Sequence, residues 1–232
     1  MKISYCLPVY NAQNNVARTI QSLLNQSVKG EILVCDDNSD DNTYLILTHF
    51  DEKIRRHNEK YSDNRGQWIF TNEERMGAAF CRNRLNNLAS NEIIAVCDAD
   101  IYYKDRGKAI LAFFKKYPEK SVFASALHLR DSSDPLLEWD QEAYEWDFKS
   151  KCPISHPTVA YKRFVAEKIK YKTLSKDTDL YEFFLLDAHN EGFEFGYCDN
   201  PLMQKIEGNS KRDITKAKEW KKTLYKEYGI EI

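Results

Sequence analysis

Short, nearly uninterrupted apolar runs alternate with helix-spaced apolar positions through the first half of the chain. Residues 3–8 (ISYCLP) form the first run, and Asn11 follows where a helix cap belongs. Val16, Ile20, Leu23 and Leu24 recur at i, i+4, i+7 and i+8, the stripe of an amphipathic helix that Gly30 stops. Residues 31–35 (EILVC) predict a second buried strand, which ends in the acidic stretch 36–41 (DDNSDD). After a helical segment and a polar stretch at 58–66, residues 68–71 offer a third strand. Gly77 opens a helix with Ala78, Cys81, Leu85, Leu88 and Ala89 on one stripe. Residues 92–97 (EIIAVC) then run straight into Asp98-Ala99-Asp100, and Ile110, Phe113, Phe114 and Tyr117 mark a further helix. Apolar strand runs separated by helices predict an α/β chain with a mainly parallel central sheet, covered on both faces. Ligands of such sheets bind beyond the carboxyl ends of the strands, so both acidic stretches are expected to face one crevice.

The second half is less regular. Residues 131–151 are rich in acids and aromatics and show no period. Residues 155–161 predict a strand entered through His156-Pro157, residues 177–190 a helix, and residues 192–198 another strand. The tail from Ser210 is helical in pattern, with Trp220, Leu224 and Tyr228 at i, i+4 and i+8. There is no internal repeat or linker, so residues 1–232 read as one domain.

The chain has 232 residues, 42% hydrophobic and 30% charged, enough to bury a sizeable core. Lys and Arg total 34 against 36 Asp and Glu. That balance argues against a protein that coats nucleic acid. No apolar run approaches the roughly 20 residues of a membrane span, and Pro8, Asn11 and Gln13 interrupt any signal-peptide pattern. The expectation is a soluble, cytoplasmic protein. Six cysteines without CxxC spacing are expected to be buried free thiols.

Asp98 and Asp100 carry the clearest chemistry. Two carboxylates one residue apart, where a buried strand gives way to a turn, suit a hard divalent cation, Mn²⁺ or Mg²⁺, shared with phosphate oxygens. Two roles fit the stretch 36–41: hydrogen-bonding a base N–H or ribose hydroxyl, or capping the next helix.

Together these segments resemble the family 2 glycosyltransferases of GT-A fold. The resemblance rests on residues 4–11 (SYCLPVYN), 34–39 (VCDDNS), Gly77 with Cys81-Arg82-Asn83, and 96–100 (VCDAD), in matching order across roughly the first half. It implies that Pro8, Tyr10, Asn11, Asp37 and Arg82 hold the nucleotide of a nucleotide-sugar. It also implies that Asp98 and Asp100 hold ribose, diphosphate and metal, with Asp100 the more direct metal ligand. Residues 1–104 become the donor half, 105–209 the acceptor half and 210–232 a C-terminal helix.

The second half matches more loosely, through residues 154–159 (ISHPTV) and 192–202. The family places Glu-Asp at a helix start, its Asp the catalytic base. Lys176-Asp177-Thr178-Asp179 stands there, without the Glu and about one helical turn farther from Gly192. Asp177 is the candidate base and Asp179 its alternate; helix capping by both is the competing reading. Glu207 occupies the position where many members place a metal-completing His. His156 either orients an acceptor hydroxyl or hydrogen-bonds its own loop, and Trp146, with Trp139, either stacks on a sugar or closes the core. Residues 205–226 carry eight Lys and Arg against three acids, which suits an anionic membrane surface, a nucleic acid or, the favoured reading, a solvated helix face.

The resulting expectation is an inverting, metal-dependent transferase moving a sugar from a nucleotide donor, a uridine one by default, to an acceptor hydroxyl of a glycan or lipid-linked molecule. Two alternatives are a sugar-phosphate nucleotidyltransferase, disfavoured because Val9-Tyr10-Asn11-Ala12 replaces a Gly-rich loop, and a carbohydrate-binding protein that has lost the chemistry.

Overall fold

A computed structural model of the chain describes residues 1–61, 68–129, 135–136, 154–174, 176–177, 180–206 and 225–226. The amino-terminal part alternates β1 (Ile3–Val9), α1 (Val16–Leu24), β2 (Glu31–Asp36), α2 (Thr43–Tyr61), β3 (Ile69–Thr71), α3 (Ala78–Leu88) and β4 (Ile93–Val96). Then follow β5 (Ile101–Tyr102), α4 (Arg106–Lys116), β6 (Val122–Leu129), β7 (Pro135–Leu136), β8 (Ala160–Lys162), α5 (Arg163–Lys168), α6 (Tyr181–Asn190) and β9 (Phe195–Lys205).

Every residue of β2 and β4 is buried, because helices cover both faces of the sheet and leave no side for polar alternation. β1 pairs in parallel with β2 on one side and β4 on the other, and β3 extends β2. The chain therefore builds outward from β1 through β2 to β3, then returns through α3 to the opposite side of β1. Reversal of that kind leaves a topological switch point beyond the carboxyl ends of β1 and β4, where open α/β sheets bind ligands. α1 packs on α2, and α3 on α5.

Beyond β4 the sheet becomes mixed, in the order β3-β2-β1-β4-β8-β6-β9-β5, with β7 on β6. β8 runs antiparallel to both β4 and β6, while β6 and β9 are parallel. The parallel pairings expected from the first half are present; the second half supplies the antiparallel ones. The strand expected over 155–161 begins at Ala160, because His156–Thr158 form a 3₁₀ turn with Pro157 at its start. β6 comes from residues 122–129 (VFASALHL), where Ser125 and His128 break any regular alternation. β9 extends to Lys205, past the expected end at Cys198.

At the amino-terminal edge of the strands, Glu31 is fully buried and accepts hydrogen bonds from Ser4 Oγ (2.6 Å), Ser90 N (2.9 Å) and Ser90 Oγ (3.0 Å). That carboxylate fastens β2 to β1 and to the α3–β4 loop, on the side away from the switch point. Five described cysteines are free: Cys6, Cys35, Cys81 and Cys97 are buried and Cys198 partly so.

α4 lies close under β1. A Cβ at Gly107 would sit 2.1 Å from Tyr5 Oη, and that hydroxyl is fixed by donating to Val28 O at 3.0 Å. Gly107→Ala is therefore expected to destabilise the fold by about 1–3 kcal/mol through overpacking. At roughly 2–4 °C per kcal/mol for a domain of this size, thermal melting should show the loss clearly, and an unchanged midpoint would contradict the packing described.

Candidate active site

The carboxyl ends of β1 and β2 are clasped by side chains that satisfy one another's turns. Asn11 and Asn38 adopt left-handed backbone conformations (φ 49° and 59°), which asparagine tolerates. Asn11 donates its N–H to Ser39 Oγ (3.0 Å) and accepts from Asp40 N through Oδ1 (3.1 Å). Ser39 Oγ donates to Asp36 Oδ1 at 2.5 Å, and the other carboxylate oxygen of Asp36 is buried without a hydrogen-bond partner among the described residues. Burial pushes the Asp36 pKa up, against the Ser39 hydrogen bonds. Asp41 accepts from Thr43 N (2.8 Å) and Gln13 N (3.2 Å), so the capping role open to this stretch falls to Asp41 at the start of α2.

Asp37 does something the sequence did not disclose. It is 3% exposed, and its carboxylate accepts from Asn72 Nδ2 (2.8 Å), Met76 N (2.8 Å) and Gly77 N (2.7 Å). It thus binds the backbone N–H groups that lead into α3, where a negative charge is favoured. One turn along α3, Arg82 is 4% exposed and its Nη2 lies 2.9 Å from Asp98 Oδ1. Asp37, α3 and Asp98 consequently form one wall along the carboxyl ends of β1, β2 and β4, with Pro8 and Tyr10 at the end of β1.

The turn after β4 is held from below. Asp98 N donates to Tyr102 Oη (2.6 Å), and Asp100 N donates to Asp98 O (2.7 Å). Asp100 is 5% exposed, and its Oδ1 accepts from Ile206 N at 2.8 Å, tying the turn to the end of β9. Burial pushes the Asp100 pKa up to about 6, opposed by the Ile206 N–H and raised further by Asp98. A buried carboxyl reluctant to ionise, beside a second carboxylate, is a setting that a hard cation would relieve. Asp98 and Asp100 therefore fit Mn²⁺ or Mg²⁺ as a pair of oxygen donors to an ion that takes its other ligands from water or substrate. Among the described residues no group of three or more His, Cys, Asp and Glu side chains closes a metal cage.

Asp177 is tied to the turn before α3 through Arg75. Its Oδ1 lies 2.7 Å from Arg75 Nη1, while Arg75 Nη2 donates to Lys176 O at 3.2 Å. The Arg75 guanidinium also lies over the Tyr10 ring, 4.2 Å from its centroid. Arg75 sits in the turn before α3, where no periodicity in the sequence marks it. Gly77 explains how closely the segments meet: a Cβ there would lie 2.7 Å from Lys176 Cα, and its φ of +92° suits glycine.

His156 belongs to the interior. It is 2% exposed, its Nε2 is 2.9 Å from Tyr171 Oη, and its ring stacks on Tyr181 at 4.7 Å. Tyr171 Oη in turn lies 3.3 Å from Tyr161 Oη, and the Arg82 guanidinium lies 5.5 Å from the Tyr171 ring centroid. The candidate acceptor-side histidine is thus packed against two tyrosines beneath the Arg82 wall. Asp179, Trp146, Trp139, Glu207 and most of the basic stretch 205–226 lie outside the described residues. Among the described residues, no helix is long and apolar enough to cross a membrane.

Comparison with known proteins gives the family and the fold. The sequence model of glycosyl transferase family 2 matches residues 4–175. The chain is 36% identical over 100 residues to the Escherichia coli UDP-Glc:alpha-D-GlcNAc-diphosphoundecaprenol beta-1,3-glucosyltransferase WfgD, covering 42% of this chain and 34% of WfgD. It is 25% identical over 187 residues to WfaP of E. coli, which carries the same activity name, covering 75% of this chain and 66% of WfaP. The chain thus spans only part of these curated relatives. Staphylococcus aureus TarS (residues 1–349) in complex with UDP-GlcNAc superposes with a TM-score of 0.68 at 18% identity, over 90% of this chain and 60% of that one. Glucosyl-3-phosphoglycerate synthase from Mycobacterium tuberculosis, in complex with Mg²⁺ and UDP, superposes with a TM-score of 0.67 at 14% identity, over 100% of this chain and 80% of that one. The fold is accordingly the GT-A fold of these enzymes.

Proposed function

Because the chain belongs to glycosyl transferase family 2, we propose that it moves a sugar from a nucleoside-diphosphate donor, a UDP-sugar, to an acceptor hydroxyl with inversion at the anomeric carbon. The observation that carries this reading is the convergence of Tyr10, Asp37, Arg82 and Asp98-Ala99-Asp100 on one rim, with Asp177 joined to that rim through Arg75. Residues 1–104 make the donor half, and residues 105–209 the acceptor half. UDP-GlcNAc bound to TarS and UDP bound to the mycobacterial synthase support uridine as the base. The lipid-linked acceptor in the name of WfgD supports a glycan-diphospholipid or related hydroxyl acceptor. On that reading, the basic stretch 205–226 lies against the anionic membrane surface where such an acceptor is presented.

The described residues divide the work. Asp98 and Asp100 would hold Mn²⁺ or Mg²⁺, which when bound neutralises the diphosphate and stabilises it as a leaving group. Asp37 fixes the start of α3, so that Arg82 is presented to Asp98 from a defined position. Asp177 accepts the proton of the acceptor hydroxyl as that oxygen bonds to the anomeric carbon, and the bond from that carbon to the diphosphate oxygen breaks on the opposite face. The donor leaves as UDP.

Incubation with a panel of nucleotide-sugars and Mn²⁺ tests the assignment. Release of UDP with a glycosylated acceptor is expected, whereas pyrophosphate release would identify nucleotidyl transfer and no product would leave a binding protein. In the same assay, Asp100→Ala is expected to lower turnover by about 10²–10³-fold, the usual cost of removing one electrostatic stabiliser. Undiminished turnover in that variant would remove Asp100 from the metal site.

A further inference from the structure

We propose that Arg75 is a positioning residue for the base, holding Asp177 in register with the donor half from the face of Tyr10. The inference rests on the reading of Asp177 as base and adds a residue that neither the motif pattern nor the family resemblance marks. Three contacts converge on one guanidinium. Nη1 meets the Asp177 carboxylate at 2.7 Å, Nη2 donates to the carbonyl of Lys176 at 3.2 Å, and the guanidinium plane lies over Tyr10 at 4.2 Å. Gripping a side chain and the backbone just before it fixes orientation as well as distance, which a planar fork of donors does and a point charge does not.

The Arg75–Asp177 pair is 31% and 41% exposed on its two sides, and such surface ion pairs contribute little to folding. Its value lies in where it connects. Arg75 immediately precedes Met76 and Gly77, whose N–H groups are both held by the buried Asp37 carboxylate. Gly77 in turn abuts Lys176, so the turn carrying Arg75 and the segment carrying Asp177 touch through backbone as well as side chain. A continuous line of contacts therefore runs from Asp37, at the end of β2, through the 75–77 turn to Asp177. α6 begins only at Tyr181, so the base stands ahead of its helix and takes its alignment from the donor side. Tyr10 completes the arrangement, because the ring that holds Arg75 belongs to the end of β1, where the nucleotide is bound.

Steady-state kinetics of the full chain with saturating UDP-sugar and acceptor, together with calorimetric UDP binding in Mn²⁺, test this role. Arg75→Gln is expected to lower kcat by about 10²-fold, the scale of a misplaced reacting group, with the UDP dissociation constant within about twofold of the parent. Arg75→Lys should restore part of the loss, since it keeps the charge without the fork. In an Asp177→Asn background, Arg75→Gln should add no further loss, because a positioning residue has nothing left to position. An unchanged kcat, a loss expressed as weaker UDP binding, or additive losses in the double variant would each overturn the proposal. Should Asp177→Asn alone keep the parent rate, the base assignment itself falls, a result read independently of any Arg75 variant.

Discussion

Asp177→Asn is expected to lower kcat by about 10²–10⁴-fold, the usual contribution of a general base, while UDP binding and the melting temperature stay near those of the parent. The substitution changes one carboxylate oxygen to an amide nitrogen, so volume is preserved and the amide oxygen can still accept from Arg75. What disappears is the capacity to take a proton from the acceptor hydroxyl. Because that interaction matters only as the hydroxyl loses its proton, kcat and kcat/KM should fall together. Asp37, Arg82, Asp98 and Asp100, the residues proposed to hold the donor, are themselves unchanged in this variant. Steady-state transfer assays paired with calorimetric UDP titration separate the two effects. Undiminished transfer would hand the base role to another group, and Asp179→Asn, assayed in parallel, shows whether the neighbouring acid is that group.

A comparably large effect, this time on stability, is expected for Arg106→Met. Arg106 is fully buried in α4. Its Nη2 donates to Val96 O (2.8 Å), Pro157 O (3.1 Å) and Val159 O (3.2 Å), and its Nη1 to Cys97 Sγ (3.6 Å). The guanidinium lies 4.5 Å from the centroid of Tyr102, whose hydroxyl receives the Asp98 N–H. One cation thus joins the end of β4, the His156–Thr158 turn and the aromatic ring beneath Asp98-Ala99-Asp100. Methionine fills similar volume but donates nothing, and buried carbonyls left without a partner cost about 1–3 kcal/mol each. Val159 O keeps a second donor in Val96 N, so the total loss is expected near 2–5 kcal/mol. Against a usual margin of about 5–15 kcal/mol, a fall in melting temperature of roughly 5–15 °C should follow. A melting temperature within a degree of the parent would show that Arg106 does not hold these elements together.

The contrast between these two residues explains what the sequence could disclose. Asp98, Asp100 and Asp37 were legible because each follows an apolar run, and a buried parallel strand ending in acids leaves few other arrangements. Arg82 was reached only through the family resemblance of Gly77 with Cys81-Arg82-Asn83. Arg106 and Arg75 gave no such signal. An arginine at the start of a helix reads as a solvated charge until the structure shows three carbonyl oxygens around it, and an arginine in a turn has no period at all. Asp37 shows the same limit from the other side. Its place at a strand end was plain, but its hold on Met76 and Gly77 joins residues 39 and 40 positions apart, beyond any local pattern. His156 shows a further limit, because His before Pro suits either of its two expected roles, and the stack on Tyr181 and the contact with Tyr171 are visible only in the structure. Strand direction followed a similar division. Long apolar runs with intervening helices imply parallel neighbours, while a three-residue strand such as β8 carries no directional information in its sequence.

The central proposal is that Asp98 and Asp100 would hold a divalent cation, which would neutralise the donor's diphosphate. Calorimetric titration of the full chain with UDP, once in Mn²⁺ and once in EDTA, tests it without any assumption about sugar or acceptor. Binding in Mn²⁺ is expected to weaken at least about tenfold in EDTA, a tenfold change being about 1.4 kcal/mol, with Asp100→Ala binding weakly in both buffers. Equal UDP affinity in the two buffers would contradict it.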